Sequence, residues 1–162
     1  MCTDSCEINM HRVPNKRRSK SIIKDSEESR KPEVILDFEY DNNNNNNSSS
    51  SSSGAAAGIL YIIIENIGLS SAYNISIKFD KEITGVEGNK KISAMKIFDR
   101  IEFLPPHKKI RIFVDTFVSY MIRRQPLVIT TMIRYSDKEN RKIQEVIRHD
   151  LSIYQDFPHI IT

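Results

Sequence analysis

Apolar and polar residues alternate with a period of two over most of the chain between Glu33 and Tyr154, as expected of strands with one buried face. Val34, Leu36, Phe38 and Tyr40 interleave with Glu33, Ile35, Asp37 and Glu39 and predict a first strand. Pro32 precedes it, where a missing N–H does little harm. Residues 59–64 are almost continuously apolar and predict a central strand covered on both faces. Tyr73, Ile75, Ile77 and Phe79 alternate with Asn74, Ser76, Lys78 and Asp80, which places the first four on the core face of a third strand. Residues 81–90, with Gly85, Gly88 and Asn89, predict a loop.

Residues 92–104 predict a strand of ambiguous register, with Ile92, Ala94, Lys96 and Phe98 facing opposite to Ser93, Met95, Ile97 and Asp99. Pro105 and Pro106 break it. Ile110, Ile112 and Val114 alternate with Arg111, Phe113 and Asp115, and residues 119–125 form a connection that ends at Pro126. In the following strand Leu127, Ile129, Thr131, Ile133 and Tyr135 face the core, which leaves Val128, Thr130, Met132 and Arg134 exposed on the other side. A hairpin turn over 136–140 uses Asn140 in the left-handed conformation. The last strand, 142–154, points Ile143, Ile147, Leu151 and Ile153 inward, and Val146, off that phase, signals a bulge.

About seven short strands without helical periodicity predict an all-β protein, an antiparallel sandwich, with a closed barrel as the competing architecture. The chain has 162 residues. Residues 1–32 are polar and charged and predict a disordered tail, 33–154 the folded domain, and 155–162 a second short tail. Within the domain, 41–58 carries six Asn followed by six Ser and predicts a low-complexity insertion at the tip of the first hairpin. Loop entropy tolerates this, since each doubling of loop length costs only about 0.6 kcal/mol. A self-associating Asn-rich tract is the alternative.

The run Glu65-Asn66-Ile67-Gly68-Leu69-Ser70-Ser71-Ala72-Tyr73-Asn74-Ile75 resembles a signature of immunoglobulin-like modules in uncharacterised prokaryotic proteins and of the cell-adhesion-related domain found in bacteria. Ile101-Glu102-Phe103-Leu104-Pro105-Pro106 and Tyr135-Ser136-Asp137 are similar to two later steps of those modules. His107 and Asn140 depart from it, standing where glycine is common. The resemblance implies an immunoglobulin-like β-sandwich with no catalytic residues to carry over. Structural turn roles fall to Asn66, Gly68, Ala72, Pro105 and Pro106: Gly68 for a positive φ, Asn66 to bond nearby backbone, Ala72 to let the chain cross close to its neighbour.

Composition adds little chemistry. The net charge of +3 is too mild to imply a nucleic-acid or membrane partner. Cys2, Cys6 and His11 lack a fourth zinc ligand nearby, and both cysteines lie in the tail, so no metal site, cofactor or core disulfide is expected. His149 and Asp150, adjacent in a strand, point to opposite faces and cannot form a relay. With no catalytic motif present, an enzyme is not expected, and a site in loops around His107 and Arg123 is the weakest alternative. The leading expectation is a non-enzymatic module that binds another protein, with Val128, Thr130, Met132 and Arg134 as its surface. The alternative is electrostatic binding of nucleic acid or an anionic membrane through the basic tail and sheet face. No apolar run reaches the length of a spanning helix and no signal peptide is recognised, so a cytoplasmic location is expected; Arg17-Arg18-Ser19-Lys20 is similar to a nuclear-localisation cluster.

Overall fold

The computed structural model describes residues 31–41, 58–86 and 88–156. Its strands form two antiparallel sheets. The first contains β1 (Val34–Asp41), β2 (Ile59–Asn66) and β7 (Lys109–Thr116), with β2 in the centre. The second contains β3 (Ala72–Phe79), β6 (Ile101–Leu104), β8 (Val128–Ser136) and β9 (Lys142–Asp150), in the order β6-β3-β8-β9. A separate hairpin of two-residue strands pairs β4 (Thr84–Gly85) with β5 (Lys90–Lys91), across and just beyond the segment expected to be a loop.

One apolar core lies between the sheets: Val34, Leu36 and Phe38 of β1 and Leu60, Ile62 and Ile64 of β2 share it with Ile75 and Ile77 of β3 and Ile129 and Ile133 of β8. Burial of this β-branched set, at about 25 cal/mol per Å² of apolar surface, is the main force holding the sheets together. The apolar run of β2 reflects its central position, and Ile63, on the outer side, is still only 4% exposed. β1 and β2 pair from Asp41↔Ile59 onward, so residues 42–57 join the two strands of one hairpin. Those residues, the basic cluster at 17–20, Cys2, Cys6 and His11 lie outside the described residues.

Several expectations are corrected. Residues 92–98 do not form a strand: Ile92–Ala94 is a 3-10 turn and α1 (Lys96–Asp99) a single helical turn, which buries Phe98 against Phe79. The connection expected over 119–125 is partly helical: α2 (Phe117–Ile122) runs into it, capped by Thr116, whose hydroxyl accepts from the Ser119 N–H at 3.2 Å. β9 stops at Asp150, whose carboxylate accepts from the Ser152 N–H, and the chain turns into a 3-10 segment, Leu151–Gln155, that leaves Ile153 exposed.

Two bulges alter the alternation. Asn74 takes φ 51° where the β3–β8 register shifts, so Tyr73 leaves the core face and packs beside Phe103 on the outside. In β7 the register slips opposite Leu60 and Tyr61, so Val114 and Asp115 both turn inward, and Asp115 is buried rather than wet. Arg123 forms an ion pair with that carboxylate. β9, by contrast, pairs with β8 without a break, so Val146 sits on the outer face and no bulge is needed there.

Candidate functional site

Asn66 is fully buried at the end of β2, and its amide organises one end of the molecule. Its Oδ1 accepts from the N–H groups of Glu33 (3.2 Å) and Gly68 (3.1 Å). Its Nδ2 donates to the carbonyls of Ser70 (2.8 Å) and Leu104 (3.0 Å). The backbone adds two more links, Asn66 N–H to Lys108 O and His107 N–H to Asn66 O. One side chain thus ties the start of β1, the β2–β3 turn and the β6–β7 turn. Pro105 sits in that second turn, where its carbonyl accepts from Lys108 N–H; Pro106 follows, and His107 takes φ 59°.

Gly68 works differently from expectation. It does not occupy the left-handed region; instead a Cβ there would lie 2.4 Å from both Glu33 N and Lys31 O. Glycine is needed because two backbones touch. Ala72, fully buried opposite Leu104, is equally confined. Asn140 takes φ 61° in the β8–β9 turn, as its residue type predicts. In that turn burial pushes the Asp137 carboxyl up, and bonds from Arg141 Nε and the N–H groups of Arg141 and Glu139 outweigh it and hold the group below its ordinary range.

His149 points into the core, its ring edge-on to Phe38 with centroids 5.1 Å apart and its Nε2 3.1 Å from the Thr131 hydroxyl. Burial lowers its pKa, which favours the neutral ring. Asp150 faces out. His107 and Arg123 are not brought together: His107 bonds Asn66 just before β7 begins, whereas Arg123 pairs with Asp115 at the other end of that eight-residue strand. Among the described residues no group of three or more His, Cys, Asp and Glu side chains could hold a metal ion. No helix among them is long and apolar enough to cross a membrane.

The two outer sheet faces differ in chemistry. On the three-stranded sheet, charges are matched locally: Arg111 bonds Glu39 (2.7 Å) and Asp41 (2.8 Å), Lys109 bonds Glu39, and the Arg111 guanidinium lies 3.7 Å above the Tyr61 ring. The outer face of the four-stranded sheet instead carries rows of mixed character. Ser76, Arg134 and Gln144 form one row, Lys78, Met132 and Val146 the next, then Thr130 beside Arg148 and Val128 beside Asp150. Val128, Thr130 and Met132 are half-buried rather than exposed, because β8 lies between β3 and β9 and its neighbours' side chains flank them. Arg134 is exposed, and Val146 next to Met132 is 59% exposed.

Sequence reasoning named the β8 half of this face and missed Gln144, Val146 and Arg148 of β9. The off-phase valine was the available signal. A cleft of about 480 Å3 of mixed lining, with Asn74, Arg134 and Lys142 beside Tyr135 and Ile143, adjoins the face at its turn end. The arrangement offers contact chemistry: apolar area at Met132 and Val146, cations around it, and an adjacent strand edge.

Comparison with curated proteins and with solved structures finds no match. Residues 13–155 match the family described as Domain of unknown function (DUF8453), and the chain belongs to that family.

Proposed function

We propose that the chain is a non-enzymatic, immunoglobulin-like β-sandwich module that binds another protein in the cytoplasm through the outer face of β8 and β9. The sandwich reading is supported by the sheet orders β1-β2-β7 and β6-β3-β8-β9, in which the chain crosses between sheets from β2 to β3, from β6 to β7 and from β7 to β8 around one core. The observation that carries the binding role is the exposed Val146 beside Met132, ringed by Lys78, Arg134 and Arg148, on a face whose opposite number has its charges matched.

Met132→Asp tests it, because the side chain points away from the core. The variant is expected to keep the parent's fold with a modestly lowered melting temperature, since Met132 is half-buried, and to lose a partner that cross-links to β8 or β9 in the parent. Retention of that partner by the variant would refute the assignment of this face. A second reading, electrostatic attachment to an anionic polymer or membrane, is favoured by the cations Lys78, Arg134, Lys142 and Arg148 on the same side of the sheet. It predicts binding that falls steeply as salt rises, and salt-independent binding would exclude it.

A further inference from the structure

We propose that the β8–β9 face takes a second copy of this chain, through antiparallel pairing of β9 with β9 about a two-fold axis at Val146. The proposal rests on the assignment of that face as an interaction surface and names its partner.

The outer edges of the other strands are short or interrupted by capping bonds along part of their length. On β1, Phe38 turns its backbone away from β2, but its N–H donates to Asp37 Oδ1 at 2.8 Å and its C=O accepts from the Tyr154 hydroxyl. On β7, Val114 O accepts from Val86 N–H at the β4–β5 hairpin, and Thr116 N–H donates to Asp115 Oδ1. β6 is four residues long. β9 is nine residues long, contains no proline, and at its outer edge makes no backbone hydrogen bond among the described residues. Long open edges of this kind are templates for pairing.

The phase of that edge follows from two bonds. Asp137 N–H donates to Arg141 O at one end of the β8–β9 ladder and Leu151 N–H donates to Leu127 O at the other, with continuous register between. In an antiparallel ladder, therefore, odd-numbered β9 residues turn their N–H and C=O toward β8, and Lys142, Gln144, Val146, Arg148 and Asp150 turn theirs outward. The side chains of these same five residues are all exposed, on one face.

Pairing this edge with itself about Val146 sets residues opposite one another whose numbers sum to twice 146. Lys142 then faces Asp150 of the second copy, Gln144 faces Arg148, and Val146 faces Val146. Opposite charges meet twice, the Gln144 amide, whose Oε1 already accepts from Arg134 Nε of its own copy at 2.8 Å, lies beside a guanidinium, and the exposed valines close an apolar row running Met132, Val146, Val146, Met132 across both copies. Each outward residue exchanges two bonds with its partner, about ten backbone hydrogen bonds in all. A one-residue shift would put inward-facing side chains on the outer face. A two-residue shift would break the charge match. The second copy is thus the occupant that the order of charges along β9 itself fits.

Sedimentation of the full-length chain tests this. The parent is expected to be dimeric at about 100 μM and largely monomeric at about 1 μM, as fits a small strand-edge contact. Val146→Pro removes a donor that β8 does not use, and is expected to give a folded monomer. Lys142→Asp and Asp150→Lys each place like charges together twice and are expected to weaken dimerisation about tenfold or more. Mixed one to one, those two variants restore opposite charges at both positions and are expected to recover the parent's dimer, a rescue that general misfolding cannot produce. A parent that stays monomeric, a dimer that survives Val146→Pro, or a mixture that fails to recover while both variants are folded would overturn self-pairing. Those outcomes leave the protein-binding face standing if Met132→Asp still abolishes a heterologous cross-link, so the two failures are separable.

Discussion

Asn66 is the side chain on which one end of the fold depends, and its removal should be costly in proportion to the groups it leaves behind. Asn66→Ala strands the Gly68 N–H and the Leu104 carbonyl in fully buried positions, and leaves the Glu33 N–H and Ser70 carbonyl partly accessible to water. An unmet buried polar group costs about 1–3 kcal/mol, so the two buried groups alone set a loss of about 3 kcal/mol, with solvent repairing much of the other two. For a domain of this size that lowers the melting temperature by about 10–20 °C. Asn66→Asp keeps the acceptor Oδ1 and replaces the donating NH2 with a second acceptor, so a carboxylate oxygen confronts two carbonyls; it should be at least as damaging at neutral pH and less so when acid supplies a proton. Urea unfolding followed by far-ultraviolet circular dichroism measures both, as a lower midpoint at unchanged slope. A loss below about 1 kcal/mol, the worth of one ordinary net hydrogen bond, would refute the claim that this amide joins three chain segments.

Three further outcomes are expected. Gly68→Ala pushes a methyl into backbone on two sides and should cost about 2 kcal/mol or more, with amide exchange accelerated first at Glu33 and Ile67, where β1 meets the turn; an Ala variant as stable as the parent would sink the close-approach account. His149 binds its proton less readily folded than unfolded, so its contribution to stability is complete above its ordinary pKa of 6.5 and is lost as pH falls below that value toward the lowered folded one. Replacing it with Gln should flatten the pH dependence of the melting temperature between about pH 7 and pH 5, and an unchanged slope would contradict this. Tyr154, pushed up to about 12 chiefly by burial, donates to Phe38 O; Tyr154→Phe should cost about 1 kcal/mol and remove one late-titrating phenol from the ultraviolet titration.

Much of the architecture was legible along the chain because side-chain period and backbone geometry are the same fact. The uninterrupted apolar run of β2 announced a central strand, β1 and β8 announced their inner faces residue by residue, and Asn140 announced a left-handed turn position. Each depends only on what a residue can do locally: tolerate water, fit a pleat, adopt a positive φ.

The tertiary structure decided what depends on a partner. A bulge exists only relative to the strand opposite, so the displacement of Tyr73 at Asn74 and the burial of Asp115 after Val114 were invisible in alternation alone. Gly68 reads as a flexible turn residue until β1's start is seen pressed against it. Residues 92–99 carry strand-like side chains yet coil, because Phe98 finds its place against Phe79 and tertiary packing overrides a weak local preference. Val146 looked like an interruption in β9. Only the pairing of β9 with β8 set it beside Met132 on the outer face, at the middle of an edge whose hydrogen-bonding groups are turned outward.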